Sequence, residues 1–466
     1  MRRRCAAFPA VEFRRGPDAT LNLIEVTWPI APLPAGLQEA LAPEESIALH
    51  MMDRLDPGEG FGRVERQRHY QDLLRTWAGA LEHFRPDCVV FSIAPHLVFD
   101  YVLYALCRHF GIRTVMFERH GLPGWVFPVH AIDQPSRDLV RAAARRSASA
   151  QPPVPAPYEE WLGGLVAGSD LAVPPNFRRK LELYRIDPDG GAGSPYRGLA
   201  YETKRALLLL LRHGLKGPRH SYLRSSRAPH GRASWLETAR ARFRGLLKKR
   251  RLARELGDLA SDPIPGEAYV LLALHYEPER STVPMGGPFG DQLLVVDLLA
   301  RVLPEGWRLY VKEHPWQLQP FGRGEMGREA DYYRRIAQHA NVRIIAPGLQ
   351  TADLIGSARA VATVCGSAGW QAVCRGVPAI VFGEAWYALC QGVHRVRDES
   401  DARAAMVAIA SGARVPAQSV RRFVAALAEV CVPGVLEPAL EDAGALDHEA
   451  AAVAMADALV RYAGDG

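Results

Sequence analysis

The second half of the chain places the strongest constraint on the fold. From residue 268 onward, short and largely apolar runs alternate with single helix-like segments and are bounded by Gly or Pro. Such runs are typical of strands buried on both faces, and a single helix is the usual connection between parallel strands. We therefore predict a doubly wound α/β domain. The predicted strands are residues 269–274, 307–311, 342–345, 360–364 and 379–382, and the predicted helices are residues 292–302, 332–339, 351–358 and 368–374.

A similar pattern in the first 200 residues predicts a second α/β domain. Its predicted strands are residues 21–26, 88–93 and 113–117, with a helical stretch over residues 97–110. The expected fold class is therefore α/β, with two Rossmann-like domains that face a central cleft. We place the N-terminal domain at residues 1–200 and the C-terminal domain, with its terminal helices, at residues 263–466.

The segment between these domains, residues 201–262, is predicted to be a basic helical linker. Residues 201–260 hold 16 Lys and Arg against four acidic residues, and Phe243, Leu246 and Leu247 lie beside the basic run 248–251. A basic amphipathic helix of this kind suits an anionic membrane surface. A solvated linker helix explains the same charges, and the sequence alone does not separate these two interpretations.

The composition limits the kinds of partner and the cellular compartment that we expect for this protein. The net charge of the whole chain is only +6, which argues against a nucleic-acid coat. The seven cysteines include no C-x-x-C pair, which favours reduced thiols over a disulfide framework or a zinc site. The basic N-terminus lacks the apolar run of a signal peptide, and no run approaches the ~20 residues of a spanning helix. We expect a cytoplasmic protein, at most peripheral to the inner membrane.

Ligands of open parallel sheets bind at the carboxyl ends of the strands. One predicted strand ends in Lys312, Glu313, His314 and Pro315. Proline cannot continue the strand ladder and turns the chain, which holds His314 at the strand end. These polar residues could simply solvate the strand end, but the concentration of three functional side chains favours a site.

A second strand end runs into small residues and then into a helix. Gly366 and Gly369 permit close approach of a ligand, and Ser367 can cap the helix or donate to a phosphate oxygen. Any strand-to-helix turn can carry Gly and Ser, so the pattern alone is weak. A serine nucleophile at Ser367 is not expected, because Cys365 replaces the first glycine of G-x-S-x-G.

Two further strand ends carry candidate residues. His275 and Glu277 follow the first strand of the C-terminal domain, and Glu118 follows a strand of the N-terminal domain. Satisfied polar loops are the ordinary explanation of such residues. No set of residues has convincing spacing for a metal.

The order of several motifs resembles a known family. "LHYEPE", "DQLL", "VKEHP", "DLI", "VATVCGSAGWQAVCRGVPAIVFG" and "WY…GV" follow one another as in the bacterial capsule-polysaccharide biosynthesis family, which includes the capsule β-Kdo transferases. The resemblance is close over residues 268–396 and loose over residues 86–128. It implies a GT-B glycosyltransferase with a nucleotide-sugar donor, for example CMP-Kdo, on the C-terminal domain. A glycan or glycolipid acceptor would lie on the N-terminal side.

The resemblance also assigns residues by position. The His-Pro pair falls on His314 and Pro315, and the donor loop falls on residues 366–369. The following helix often carries Glu in such proteins, and here that position is Gln371. We expect the donor to be bound by Glu313, Pro315, Gly366, Ser367, Ala368, Gly369, Gln371, His275 and Glu277, with no other cofactor.

A transfer reaction needs the leaving phosphate to be stabilised, and a helix N-terminus with His and Lys can do this in place of a metal. We assign that role to His314 and Lys312 together with the donor loop. An acidic residue near the acceptor is also required, and Glu118 is the candidate.

Two other functions fit the same sequence. A GT-B-like epimerase or hydrolase would use the same donor site without a sugar acceptor. A non-catalytic, membrane-docked factor for polysaccharide assembly or export would use the basic segment as its functional part.

Overall fold

A computed structural model describes residues 28–53, 56, 62–146, 153–167, 235–319, 323–436 and 447–464. The predicted strand at residues 21–26 and most of the basic segment lie outside the described residues. The predicted boundaries near residues 200 and 262 stay a prediction, because residues 168–234 are not described.

Helices and strands alternate through most of the described chain. The helices are α1 (Ala35–Ala40), α2 (Ala42–Asp53), α3 (Arg63–Phe84), α4 (Val98–His109), α5 (Arg137–Arg146), α6 (Ala156–Ala167), α7 (Trp235–Leu259), α8 (Gln292–Val302), α9 (Tyr332–Ala337), α10 (Thr351–Ser357), α11 (Ser367–Cys374), α12 (Glu399–Ala410), α13 (Ala417–Val430) and α14 (His448–Gly464). The strands are β1 (Cys88–Phe91), β2 (Arg113–Arg119), β3 (Trp125–Val129), β4 (Ala260–Ser261), β5 (Tyr269–Ala273), β6 (Arg308–Lys312), β7 (Val342–Ile345), β8 (Ala360–Thr363), β9 (Ala379–Val381), β10 (Val393–Arg395) and β11 (Val432–Pro433). The α/β class is confirmed.

Contacts divide the chain into two compact units. Of the described residues, those within 28–86, 96–111 and 235–244 form the first, here called the helical unit, and the others form the second, the two-sheet unit. In the helical unit α3 packs against α2 and α4. Its core includes Trp28, whose ring stacks on Trp77 with centroids 6.3 Å apart.

The larger sheet of the two-sheet unit has seven parallel strands in the order β10-β9-β8-β5-β6-β7-β4. Both faces are buried: Val270 and Leu272 of β5 belong to one core, and Tyr269 and Leu271 belong to the other. This explains the uninterrupted apolar runs in the sequence. The predicted strands and helices are confirmed to within about two residues at each end, whereas the short strands β4 and β10 were not predicted.

The strand order reverses between β5 and β8. The chain proceeds outward from β5 through β6 to β7, and then returns to β8 on the other side of β5. At such a switch point the two neighbouring connections leave in opposite directions and open a crevice at the carboxyl ends of the strands. The residues that follow β5 and β8 therefore lie at the position where this fold binds ligands.

The smaller sheet has the order β1-β2-β3-β11 and is mixed. β1 and β2 are parallel, as expected for a Rossmann-like unit, but β3 is antiparallel to β2. The connection between β2 and β3 is only residues 120–124, and a short connection can join only antiparallel strands. Gly121 and Gly124 adopt φ of 102° and 75° in this turn, a region that favours glycine.

The last helices of the chain return to the smaller sheet. α13 packs against α5, and α14 packs against β2, β3 and β11. Phe117, Val126 and Ala458 form the core of that contact. None of the helices in the described ranges combines the length and apolar character needed to cross a membrane.

Two helical glycines have opposite surroundings. A Cβ built on Gly79 in α3 would lie 2.0 Å from the carbonyl oxygen of Pro29, whereas a Cβ built on Gly163 in α6 would meet nothing within 4 Å. The first glycine is required by close packing, and the second is not.

These surroundings predict opposite effects of the same substitution. Gly163→Ala should raise the free energy of unfolding by roughly 0.5 to 1 kcal/mol, because alanine is the better helix former. Gly79→Ala should lower it by about 1 to 3 kcal/mol, because the added methyl group overpacks the site. Denaturant unfolding of both variants measures the effects, and a stabilised Gly79→Ala protein would contradict the close contact.

Candidate functional site

The loop after β8 is held by a buried histidine from the neighbouring strand end. His275, which follows β5, accepts a hydrogen bond at Nε2 from the backbone N–H of Cys365 at 3.2 Å. The same nitrogen lies 2.9 Å from the Thr363 hydroxyl, and the Thr363 oxygen accepts from the N–H of Gly366 at 3.2 Å. His275 therefore positions residues 364–366, which lead into the predicted donor-binding residues 366–369. Residues 364–369 together are called the donor loop below, after that prediction.

These contacts define which nitrogen of the His275 imidazole carries the proton. Because Nε2 accepts from Cys365, the ring proton of neutral His275 is on Nδ1, which lies 3.1 Å from the Ser281 hydroxyl. Burial, with help from His314 and Arg328, lowers the pKa of His275 to about 3. The ring therefore stays neutral at physiological pH and keeps its acceptor nitrogen toward the donor loop.

Helix α11 begins at Ser367, within the donor loop, with Gly366 as its N-cap. The first N–H groups of a helix have no partner within the helix and form a positive end that suits a phosphate. Cβ atoms would lie 2.8 Å from the Thr363 hydroxyl at Gly366 and 2.3 Å from the Tyr387 hydroxyl at Gly369. Both glycines are thus needed for the packing of the loop itself, apart from any ligand.

A buried arginine joins two strand ends. The guanidinium of Arg328 donates to both carboxylate oxygens of Glu313, at 2.8 and 2.9 Å, and to Glu277 at 2.5 Å. It also donates to the backbone carbonyl of His275 at 2.9 Å. The Arg328 side chain is fully buried. The Arg328 cation thus pairs with two carboxylates. Burial raises the pKa of Glu277 to about 7, and Arg328 opposes that rise.

Two buried glutamines complete the support of the segment after β5. The side-chain amide of Gln292 accepts from the N–H of His275 at 2.7 Å and donates to its carbonyl at 3.3 Å. Gln317 bonds Glu277 in the same reciprocal way, at 2.9 and 3.0 Å. The chain leaves the sheet at residue 274, and these side chains hydrogen-bond the backbone N–H and C=O groups of His275 and Glu277 beyond it. The segment is therefore rigid.

His314 has a defined tautomer as well. Its Nδ1 accepts from the backbone N–H of Trp316 at 3.2 Å, which places the ring proton on Nε2. Burial, Arg328 and Lys312 lower the pKa of His314 to about 3. The side chain is therefore a neutral hydrogen-bond donor throughout the physiological range.

Lys312, the last residue of β6, is buried and donates to the carbonyl of Pro347 at 3.2 Å. Burial lowers the pKa of Lys312, and Glu313 opposes that shift. The adjacent Glu313 makes its contacts with Arg328 and with the hydroxyl of Tyr333 at 2.7 Å. Lys312 and Glu313 thus bond different partners. Direct contact of either residue with a donor stays a prediction.

The remaining predicted donor residues lie around α11 and the turn after β6. Ser367 is exposed, Ala368 and Gln371 are half-buried, and Pro315 is exposed. Their contact with a ligand is untested.

Glu118, at the end of β2, pairs with an arginine that the sequence did not single out. Arg280 donates to its two carboxylate oxygens at 2.6 and 3.1 Å, and the N–H of Arg119 donates at 3.1 Å. Glu118 and Arg280 line a cavity of about 160 Å³ together with Cys365, Glu384 and Trp386. Because Cys365 belongs to the donor loop, the cavity lies directly beside the start of α11.

Sequence reasoning missed five residues of this site: Arg280, Gln292, Gln317, Arg328 and Glu384. Gln292 is part of the quoted "DQLL" motif and Glu384 follows the strand of residues 379–382, so both had a positional signal. Arg280, Gln317 and Arg328 lie in connections between strands, where a charged or amide residue is ordinary.

One family model matches the chain. Residues 225–410 match the model of the capsule polysaccharide biosynthesis protein family, which is less than half of the chain. The match covers β5, β6, β8 and α11, and therefore the whole of the donor loop and its supports. No sequence among curated proteins matches the chain.

Several solved structures show a distant likeness. The β-Kdo 2,7 transferase KpsC of Thermosulfurimonas dismutans is 15% identical, with 44% of this chain and 62% of that chain covered and a TM-score of 0.26. The β-Kdo 2,4 transferase KpsC of the same organism is 13% identical, with 73% and 79% covered and a TM-score of 0.31. The UDP-GlcNAc 2-epimerase of Methanocaldococcus jannaschii is 12% identical, with 79% and 83% covered and a TM-score of 0.28. With TM-scores this low, we draw nothing about this chain from the likeness.

The arrangement around Arg328 predicts a large effect on stability. Arg328→Met leaves Glu313 and Glu277 buried without their cation, and losing one partner of a buried pair typically costs about 3 to 5 kcal/mol. Arg335 is a matched control, because it is 46% exposed and pairs with exposed Glu329 at 3.7 Å. Arg335→Met should change the free energy of unfolding by less than about 1 kcal/mol.

Denaturant unfolding of the two variants at pH 7 measures the difference. Equal midpoints would show that the buried carboxylates do not depend on Arg328.

Proposed function

We propose that the protein is a glycosyltransferase of capsule or surface polysaccharide biosynthesis, because residues 225–410 match the model of the capsule polysaccharide biosynthesis protein family. It transfers a sugar from a nucleotide-sugar donor to a glycan or glycolipid acceptor. Kdo from CMP-Kdo is the donor that the resemblance favours. The observation that carries the proposal is the donor loop, clamped by His275 at the switch point of the sheet and opening into α11.

The donor phosphate is proposed to bind at the start of α11. Backbone N–H groups at a helix N-terminus stabilise the negative charge that develops as the nucleotide leaves. His275 holds the donor loop through Cys365 and Thr363, so these N–H groups are oriented before the ligand arrives. Fixed donors require little reorganisation during the reaction, and this is the main source of such stabilisation.

His314 is proposed to donate to the same phosphate. Its proton is on Nε2, and its low pKa keeps it neutral, so it offers a hydrogen bond without a net charge. Lys312, the last residue of β6, is buried and supplies positive potential. The acceptor is proposed to approach from the side of Glu118, where the cavity lies.

The basic helix α7 presents one exposed stripe. Arg240, Arg244, Arg251 and Arg254 are exposed, as are Phe243 and Leu247, at 54% and 47%. Their spacing of three and four residues places them on one face of a helix. We call these six residues the α7 stripe.

The opposite face of α7 is buried. Leu252 and Leu256 belong to the core of the larger sheet, and Lys249 is 5% exposed. Lys249 pairs with Glu325 at 3.1 Å and donates to the carbonyl of Gln319 at 2.8 Å. The basic run of residues 248–251 therefore does not act as one surface patch, because one of its cations stabilises the fold.

We propose that the α7 stripe docks the enzyme on anionic lipid at the inner membrane face. Exposed arginines beside Phe and Leu match the chemistry of an interfacial helix, whose cations meet anionic headgroups while its apolar side chains enter the boundary. A lipid-linked acceptor would give this docking a purpose. The solvated-linker interpretation makes the opposite prediction for vesicle binding.

The transferase proposal predicts a defined loss in His314→Ala. Loss of one hydrogen bond to a developing charge typically lowers the rate roughly 100- to 1,000-fold. Transfer is measured with CMP-, UDP- and GDP-linked sugars and alkyl glycosides as acceptors, with product analysis by mass spectrometry. His339→Ala is the matched control, because His339 pairs with Asp297 at the surface and should leave the rate unchanged.

The products of the wild-type protein separate the competing functions. A glycosylated acceptor supports the transferase, whereas an epimerised or free sugar supports an epimerase or hydrolase. No turnover with any donor, and no thermal shift with CMP, UDP or GDP, would support a non-catalytic factor.

The docking proposal predicts the loss of vesicle binding when the α7 stripe is reversed in charge. Each Arg near an anionic surface contributes about 1 kcal/mol, so Arg244→Glu/Arg251→Glu/Arg254→Glu should weaken binding by at least ~100-fold. Flotation with phosphatidylglycerol vesicles measures it, and salt should weaken wild-type binding because charges are screened beyond ~8 Å.

A variant with the same net charge provides the control. Arg141→Glu/Arg301→Glu/Arg403→Glu changes three exposed arginines on other helices and should retain binding. If the two triple variants float alike, or if the wild type ignores the vesicles at low salt, α7 is only a solvated helix.

A further inference from the structure

One carboxylate oxygen in the cavity beside Cys365 lacks a partner. Glu384 follows β9, and its side chain is 8% exposed. Arg395 of β10 donates to Oε2, whereas Oε1 is buried and has no hydrogen-bond partner among the described residues. A buried carboxylate oxygen without a partner is costly, and a substrate group that donates to it would remove the cost.

The position of Glu384 is rigid. The N–H groups of Phe382 and Gly383 donate to the carbonyl of Val364 at 3.0 and 2.8 Å, which joins the start of this segment to the donor loop. A Cβ at Gly383 would lie 2.7 Å from the carbonyl oxygen of Met285, so the backbone is closely packed. The backbone that carries Glu384 is therefore tied to the donor loop.

The cavity has the size of one ring. Its volume of about 160 Å³ is close to that of an engineered cavity of ~150 Å³ that takes a benzene molecule. Trp386 lines it beside the polar groups, as is usual for small-molecule sites. A single sugar ring fits this space, whereas a whole nucleotide sugar requires the neighbouring donor loop as well.

The carboxylate of Glu118 is more fully hydrogen-bonded than that of Glu384. Its two oxygens already accept three hydrogen bonds, two of them from the guanidinium of Arg280. Arg395 engages one oxygen of Glu384, and the other oxygen, Oε1, is buried without a hydrogen-bond partner among the described residues.

We infer that the cavity is the subsite for the reacting sugar hydroxyl, and that Glu384 is the catalytic residue that takes the proton from this hydroxyl. The inference rests on the transferase proposed above and adds to it the identity of the base. It moves the acid–base role from Glu118, to which the sequence pointed, to Glu384, and it leaves the Glu118–Arg280 pair as a wall of the subsite.

The step balances as a group transfer. The acceptor oxygen forms a bond with the anomeric carbon of the donor sugar, and the bond between that carbon and the phosphate oxygen breaks. The electron pair of the broken bond leaves with the nucleotide phosphate. The hydroxyl proton moves to the carboxylate of Glu384 and is later released to water.

The electrostatic surroundings suit a base at neutral pH. Burial raises the pKa of Glu384 to about 7, Asp133 adds to the rise, and Arg395 and Arg397 oppose it. Across the cavity stand Arg280, paired with Glu118, and the thiol of Cys365, whose pKa burial raises to about 12. A general base works best with a pKa near the operating pH.

The test is the Glu384→Gln variant in the full chain. Loss of a general base typically lowers the rate by 10² to 10⁴, so the kcat for transfer to an alkyl glycoside should fall by at least 100-fold. The shift in melting temperature caused by the nucleotide should persist, because the donor loop is untouched. In the wild type kcat/KM should rise with pH up to about 7 and then level, since the base must be deprotonated, and this rise should disappear in Glu384→Gln.

A second variant excludes a purely structural effect. Glu384→Ala should recover part of its activity when formate is added, because the small carboxylate can occupy the vacated space. Glu399→Gln makes the same chemical change at an exposed site, 37% accessible, and should behave as wild type.

Each failure has its own signature. If the wild type transfers sugar and Glu384→Gln transfers it equally well, or keeps the rise of kcat/KM with pH, the inference about Glu384 is wrong and the transferase stands. Loss of activity without rescue of Glu384→Ala by formate would reduce Glu384 to a positioning residue. If the wild type consumes no nucleotide sugar of the panel, the transferase proposal falls, and the inference falls with it.

Discussion

The candidate site depends on one buried cation. Arg328 is enclosed between Glu313 and Glu277 and also bonds the carbonyl of His275, so a single guanidinium joins the ends of β5 and β6. Its planar fork bonds Glu313 through two parallel hydrogen bonds, a geometry that lysine cannot reproduce. Glu313 is buried and Glu277 is largely buried, so loss of the cation would leave the desolvation of both carboxylates uncompensated. The strand ends that border the crevice are therefore tied to one another.

Two neutral histidines of the site have different roles. His275 accepts from the donor loop and positions it, whereas His314 keeps its proton on Nε2 and can donate. Both are kept neutral mainly by burial, with nearby positive charge adding to the effect. A crevice with oriented N–H groups and neutral donors suits a phosphate whose charge grows during the reaction, because the donors need no rearrangement.

Much of the larger sheet could be predicted from the sequence. Its central strands are buried on both faces, so their apolar runs are continuous, and five of the seven strands are followed by a helix. The smaller sheet was harder, because β11 comes from residues more than 300 positions after β3. Candidate residues at strand ends, such as His275 and His314, were found because parallel strands place their carboxyl ends together. Arg280 and Arg328 were not found, since a connection between strands carries no periodic pattern.

By itself, the sequence determined the α/β class, the order of the larger sheet's strands along the chain, and the short list of residues at their ends. Those properties follow from local periodicity and from the positions of Gly and Pro, which are readable without long-range contacts. Only the tertiary structure decided what each residue does there. Both oxygens of Glu118 are hydrogen-bonded by Arg280, whereas Oε1 of Glu384 is buried without a partner among the described residues, and this difference depends on residues distant in sequence. Charge, burial and hydrogen bonding are properties of the folded neighbourhood, and no local pattern encodes them.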